Sequence, residues 1–161
     1  MKGPRRGGSM ARNDTTRSRP ARRMSVCGVL CSECPAYLAA SRGLAYQQRV
    51  ADAWHRIYGL NEKPERISCG GCFGTDKEVF HTSRGCKARM CAHRKGLSSC
   101  AECFQVHCAS LEKAQAVWDH VPQLSSVLSH GDFATYAEPY CGHRRRLASA
   151  RARQHTLNHH R

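Results

Sequence analysis

The sequence predicts a small α-rich, metal-bound domain in which helices are joined by irregular cysteine-rich loops, with few or no strands and with disordered basic tails. Three observations lead to this prediction. The 161 residues include eleven cysteines but only four Phe and two Trp, so the apolar core is too thin to explain folding without cross-links. Apolar residues recur at helical spacing in two segments. Basic residues are concentrated at the two ends of the chain.

The first helical segment is predicted from Pro35 to Tyr58. Proline suits the first turn of a helix, Gly43 is a weak point that can divide the segment, and Gly59 suits the left-handed residue that ends many helices. Its apolar stripe consists of Tyr46, Val50, Ala53, Trp54 and Ile57. This periodicity indicates a helix with one buried face.

Later helices are predicted to be shorter. One lies within 86–94 and ends at Gly96. A second apolar stripe runs from Leu111 to Val121, and Pro122 separates it from a further short helix. After His130 the sequence predicts little structure before the Arg-rich end of the chain.

The charge divides the chain into a body and two tails. The net charge is +14, of which 1–24 contributes +7, 142–161 contributes +6 and the body only +1. We therefore predict a disordered basic extension over 1–23, a single cysteine-rich metal-binding domain over 24–140 and a basic, disordered tail over 141–161. Contact of the tails with nucleic acid or another polyanion is the alternative interpretation of this basicity. The sequence predicts no specific partner and no oligomeric state.

The cysteines are predicted to be reduced. No apolar run approaches the roughly 18 to 20 residues that a membrane span needs, and the first residues lack the apolar core of a secretory signal. These observations predict a cytoplasmic protein without a membrane segment. Disulfides are rare in a reducing compartment, so metal binding is the favoured role for the thiols.

Ten cysteines of the body are the candidate metal ligands: Cys27, Cys31, Cys34, Cys69, Cys72, Cys86, Cys91, Cys100, Cys103 and Cys108. Two C-x2-C pairs, at 69–72 and 100–103, are separated by 27 residues. Two intervening residues let both sulfurs of a pair reach one ion, and zinc prefers four such ligands in a tetrahedron. The set is large enough for two four-thiolate zinc sites with two thiols to spare. The spacing does not determine which thiol joins which site.

An iron–sulfur cluster is the alternative to zinc. Cys27, Cys31 and Cys34 have the C-x3-C-x2-C spacing with which radical enzymes that use S-adenosylmethionine hold a [4Fe–4S] cluster, and Pro35 follows as in ferredoxin-type ligation. Those radical enzymes need a large α/β barrel, for which this body is too short. The alternative is therefore an electron-carrying or sensing cluster that uses this triplet and one further thiol.

Basic and histidine side chains accompany the later cysteines. Five basic residues and no acid lie within 84–95: Arg84, Lys87, Arg89, Arg94 and Lys95. They are predicted to offset the 2− charge of a four-thiolate zinc centre; a nucleic-acid contact patch is the other interpretation. Three nearby histidines are predicted to lie at the surface or around the ligands: His81, His93 and His107. Cys141 fits no pair, and His143 adds too little to define a third site.

Catalysis finds little support in the sequence, which contains no nucleophile elbow, P-loop or H-E-x-x-H motif. Closed four-ligand sites also leave no position for substrate or water. The favoured function is therefore a small metal-binding protein of structural, adaptor or regulatory type.

The cysteine-containing motifs resemble one family. They are Cys27-Gly28, Cys31, Cys34-Pro35-Ala36-Tyr37, Cys69-x-Gly71-Cys72, Cys86-x2-Arg89-x-Cys91-Ala92, Lys95-Gly96, Cys100-Ala-Glu-Cys103 and Cys108. The pattern is similar to the uncharacterised cysteine-rich prokaryotic family called domain of unknown function 3795, over about residues 25–115. The resemblance implies a bacterial or archaeal origin and one structural unit from Cys27 to Cys108. It implies no activity, because that family has none established.

Overall fold

The computed structural model describes residues 23–105 and 107–159. Within this part of the chain there are six α-helices: α1 Pro35–Arg42, α2 Leu44–Tyr58, α3 Lys87–Arg94, α4 Ala109–Ala116, α5 His130–Tyr136 and α6 His143–His159. Short 3-10 turns connect them: Cys31–Glu33, Pro64–Arg66, His81–Ser83, Cys100–Glu102, Val121–Ser126 and Glu138–Tyr140. The described residues form no strand, only an isolated antiparallel bridge between Met24 and Leu30. The predicted α-rich class is therefore confirmed, whereas the extension predicted over 1–23 lies outside the described residues apart from Arg23.

The predicted division of the first helical segment is confirmed. Gly43, with a φ of 74°, separates α1 from α2. Gly59 is left-handed, and its N–H bonds to the His55 carbonyl at 3.0 Å. A side chain at either position would be strained at these dihedral angles, so each glycine sets a helix boundary.

The core forms between α2 and the segments that fold back onto it. Val50 is fully buried and Trp54 nearly so. The Trp54 ring packs edge-on against Phe80, with ring centroids 5.4 Å apart. Trp118 stacks on Tyr140 at 4.4 Å. Both ring pairs belong to one hydrophobic cluster, in which Trp54, Phe80 and Tyr140 are buried and Trp118 packs against them.

Helix α5 differs from the sequence-based expectation of little structure after His130. Its N-cap is Ser129, whose hydroxyl accepts a hydrogen bond from the Asp132 N–H at 3.1 Å. Serine followed three residues later by an acid is a helix start signal. The signal is present in the sequence, but no long apolar stripe accompanies it.

Helix α6 differs from the predicted disorder of 141–161. Leu147 is buried in the core, and the Arg144 guanidinium binds the carboxylates of Glu112 and Asp119 at 2.7–3.0 Å. An Arg-rich segment without acids nearby in the sequence is predicted to be solvated. In the structure, however, Arg144 binds acids that lie 25 or more residues away in the chain. No helix in the described part of the chain combines the length and apolar character needed to cross a membrane.

Gly28 allows α6 to approach the cysteine-rich loops. Its φ is 104°, and a Cβ there would lie 2.1 Å from the His143 carbonyl oxygen at the start of α6. The Arg146 Nε donates to the Gly28 carbonyl at 2.8 Å. The C-terminal helix is thereby fixed directly beside Cys27.

Candidate metal centre

Four thiols from two distant segments converge beside the start of α1. Cys31 opens a 3-10 turn and Cys34 is the N-cap of α1, while Cys69 and Cys72 lie on the loop that precedes α3. Cys31 and Cys72 share a hydrogen bond, and Cys31 also interacts electrostatically with Cys34 and Cys69. Cys34 interacts with Cys69 in turn. We refer to these four residues as the first thiol set.

Backbone amides point at the sulfur of Cys69. The N–H groups of Gly71 and Phe80 donate to its Sγ at 3.3 and 3.4 Å. Gly71 has a φ of 80° and packs against the Tyr37 ring, so the loop can turn its amide inward. N–H groups directed at a sulfur stabilise the thiolate, which is the form that binds metal.

Cys34 receives a similar set of hydrogen bonds. The N–H groups of Tyr37 and Ala36, in the first turn of α1, bond to its thiol. The Tyr140 hydroxyl lies 3.3 Å from its Sγ. Burial raises the pKa of Cys34, and these bonds partly oppose that effect. Tyr140 brings a residue from the C-terminal part of the chain to the thiols.

Cys31 and Cys72 titrate as a pair. The hydrogen bond from Cys31 lowers the pKa of Cys72 to about 6 against the opposing effect of burial, with further lowering by the Val26 N–H and the Arg89 charge. The same hydrogen bond, together with burial, raises the pKa of Cys31. Of the two sulfurs, Cys72 is therefore the one on which the hydrogen bond favours a thiolate.

Arg89 holds the loop that carries Cys72. Its side chain is almost completely buried. Its guanidinium donates to the carbonyls of Cys72 at 3.0 Å and Gly74 at 2.7 Å, and to Asp76 at 2.7 Å. His93 Nε2 lies 2.7 Å from the Cys72 carbonyl. The Arg89 charge also lowers the pKa of Cys72, whereas the predicted compensation of a zinc centre stays a prediction.

The other basic residues of 84–95, and the histidines that were predicted to lie near the ligands, have contacts of their own. Lys95 donates to the Cys103 Sγ at 3.6 Å. The other three basic residues of 84–95 are exposed: Arg84, Lys87 and Arg94. His81 pairs with Glu62 at 3.1 Å, and His107 is exposed.

Cys141 and His143 bond to backbone carbonyls. The Cys141 thiol donates to Ala137 at 3.6 Å, and His143 Nδ1 lies 2.9 Å from the Tyr140 oxygen. The His143 Nε2 lies 3.4 Å from the Asp119 carboxylate, and neither Cys141 nor His143 joins the first thiol set.

The four thiols lie near one another but are not arranged as a metal coordination site. Among residues 23–105 and 107–159, no group of three or more His, Cys, Asp or Glu side chains is arranged so that it could hold a metal ion. All eleven cysteines are free thiols. The first thiol set is thus a group of candidate ligands in proximity.

The family comparison covers the cysteine-rich unit. A family model described as protein of unknown function (DUF3795) matches residues 23–113. The chain belongs to this family. The predicted resemblance over about 25–115 is confirmed, and the DUF3795 match contains all ten candidate ligands. It ends within α4, so Tyr140 and helix α6 lie outside it. No curated protein and no solved structure matches the chain.

Proposed function

We propose that this protein binds a divalent metal ion, zinc by preference, through the thiolates of Cys31, Cys34, Cys69 and Cys72. The observation that supports the proposal is the approach of two cysteine pairs from segments more than 30 residues apart. Zn–S bonds of about 2.3 Å place the sulfurs of a tetrahedral site about 3.8 Å apart. The hydrogen bond between Cys31 and Cys72 joins one thiol of each pair.

The chemistry around the sulfurs supports ligation by thiolate. Hydrogen bonds to Cys34 oppose the effect of burial on its pKa, the positive charge of Arg89 lowers the pKa of Cys72, and two backbone amides donate to the Cys69 sulfur. Four thiolates and one zinc ion carry a net charge of 2−, which such donors and cations offset.

The proposed role of the metal is structural. Between the buried residues Ile67 and Val79, the one large apolar side chain is the exposed Phe73, and a zinc ion would fasten this stretch to the start of α1. Metal affinity then becomes folding free energy, as in other small metal-dependent domains. Four thiolate ligands leave no open coordination position, so we propose a structural, adaptor or regulatory protein of a reducing compartment such as the cytoplasm.

The test is metal analysis of protein purified without oxygen. We expect a colourless sample that contains zinc, and we expect Cys72→Ser to lower the content by about one equivalent per chain. Cys141→Ser is the matched control, because that thiol bonds to a backbone carbonyl instead, and it should retain the wild-type content.

Two outcomes would change the proposal. A brown protein with iron and acid-labile sulfide would replace zinc with an iron–sulfur cluster. A Cys72→Ser variant with the same metal content as the wild type would remove the first thiol set as a site.

A further inference from the structure

A groove with a volume of about 570 Å³ lies between α4 and α6. We refer to it as the α4–α6 groove. Its lining includes the buried Leu111 of α4, the buried Leu147 of α6 and the exposed Ala148 of α6. Sites for small molecules have volumes of about 300–1,000 Å³. Helix α4 begins inside the DUF3795 match and α6 lies outside it, so both parts of the chain are needed to form the groove.

Arg144 is the first residue of α6 that lines the groove, and its charge is already paired. Its guanidinium binds the carboxylates of Glu112 and Asp119 at 2.7–3.0 Å and the side-chain oxygen of Gln115 at 3.3 Å. Among the described residues that line the groove, Glu112 is the one acid. This end of the groove therefore has an ion pair whose donors and acceptors satisfy each other.

Arg151 is the last residue of α6 that lines the groove. It follows Arg144 by seven residues, which places both on the same face of the helix, about 10 Å apart along its axis. Its Nη2 donates to the Cys100 carbonyl at 3.0 Å, and its Nε is buried without a hydrogen-bond partner in the described part of the chain. Within residues 23–105 and 107–159, no carboxylate pairs with this guanidinium.

The unpaired charge of Arg151 indicates that an anion is bound there. Arg151 is partly buried, and removing a charge from water is unfavourable unless an opposite charge or hydrogen bonds compensate it. Residues 142–161 contain no acid, so no neighbour in sequence can supply one. A guanidinium can donate two parallel hydrogen bonds to a carboxylate or a phosphate. Either group would therefore compensate the charge at this end of the groove.

We propose that the α4–α6 groove binds a small molecule that carries a carboxylate or phosphate group, and that Arg151 binds this anionic group. The rest of the ligand lies against Leu111, Leu147 and Ala148. The ion pair of Arg144 and Glu112 lies at the other end, so the site accepts a ligand about 10 Å long. This inference does not depend on the proposed zinc site.

The experiment is a titration of the ¹⁵N-labelled full chain, with zinc in excess, followed by ¹H–¹⁵N nuclear magnetic resonance. The probes are hexanoate, its neutral amide hexanamide and inorganic phosphate. Hexanoate and hexanamide share one apolar chain, so the ratio of their affinities measures the contribution of the anionic group. We expect hexanoate to shift the amide resonances of Leu111, Ala148 and Arg151, and to bind about tenfold more tightly than hexanamide or better.

The phosphate titration distinguishes the two kinds of anion. If both anions shift the same resonances, the site accepts carboxylates and phosphates. If only one of them does, the ligand class is restricted to that anion. Each of these results supports the inference.

Variants give an independent test. Arg151→Gln should weaken anion binding about tenfold or more. Arg153→Gln is the matched control, because Arg153 is exposed on the same helix and its replacement removes the same charge; it should bind as the wild type does. Ala148→Phe fills the groove from an exposed position that should tolerate the change. It should weaken the binding of each anion that the wild type binds.

Three results would overturn the inference. The first is that neither anion shifts the resonances of the groove, as expected if the charge of Arg151 instead faces a thiolate at Cys108, which also lines the groove. The second is that hexanoate binds no more tightly than hexanamide and phosphate does not bind. The third is an equal effect of Arg151→Gln and Arg153→Gln, because the anions would then respond only to the overall basicity of α6.

Discussion

Replacing Arg89 by methionine tests whether the buried guanidinium supports the loop that carries Cys72. Methionine keeps much of the side-chain volume but removes the charge and every donor. The carbonyls of Cys72 and Gly74 would lose the hydrogen bonds now made at 3.0 and 2.7 Å. The third partner, Asp76, is well exposed, so water can replace that contact.

The expected loss of stability follows from these contacts. The loss of a charged donor from a half-buried carbonyl lowers the free energy of unfolding by about 1–3 kcal/mol. Two carbonyls are affected. The exposed ion pair adds about 0.5 kcal/mol or less. We expect Arg89→Met to lower the free energy of unfolding by about 2–6 kcal/mol, which corresponds to a decrease in Tm of about 5–20 °C for a domain of this size.

Urea unfolding followed by far-ultraviolet circular dichroism, with zinc in excess, measures this loss. Arg94→Met is the matched control, because Arg94 lies on the same helix, is exposed and carries the same charge. The control should stay within about 0.5 kcal/mol of the wild type. Equal stability of the two variants would refute the reasoning, since the effect would then come from net charge alone.

Three further expectations follow from particular contacts. Gly28→Ala should destabilise the protein by about 3 kcal/mol or more, because of the positive φ and the clash with the start of α6, whereas Gly85→Ala, with open space around it, should be neutral in the same thermal unfolding assay. Tyr140→Phe should weaken zinc binding about tenfold in chelator competition, because the hydroxyl contacts the Cys34 sulfur. Tyr58→Phe loses a hydroxyl bonded to a backbone carbonyl and should keep its affinity; equal affinities would contradict this role. Removal of zinc with a strong chelator should reduce the cooperativity of the unfolding transition. An unchanged transition would exclude metal-dependent folding.

Local chemistry made α1 and α2 predictable. Proline at the first turn, the break at Gly43 and the left-handed cap at Gly59 each act over a few residues, so their effect can be inferred from neighbours in sequence. Helix α6 was not predictable in this way. Its Arg144 binds Glu112 and Asp119 on other segments, and only folding brings those charges together.

The candidate site shows the same division between local and distant information. Cysteine number and spacing predicted thiols as the candidate metal ligands of this protein, because ligand type is a property of single residues. The spacing also grouped Cys27 with Cys31 and Cys34, as an uninterrupted motif would suggest.

The tertiary structure decided which thiols are neighbours. Cys31 and Cys34 meet Cys69 and Cys72, and Cys27 interacts electrostatically with Cys72, Cys86 and Cys100. The sequence by itself determined that this chain is α-rich and cysteine-rich, because helix propensity and ligand type depend on single residues and their near neighbours in sequence. The grouping of those thiols depends on how α3, α4 and α6 pack on the N-terminal segment, and contacts between residues so far apart in the chain exist only after the core has formed.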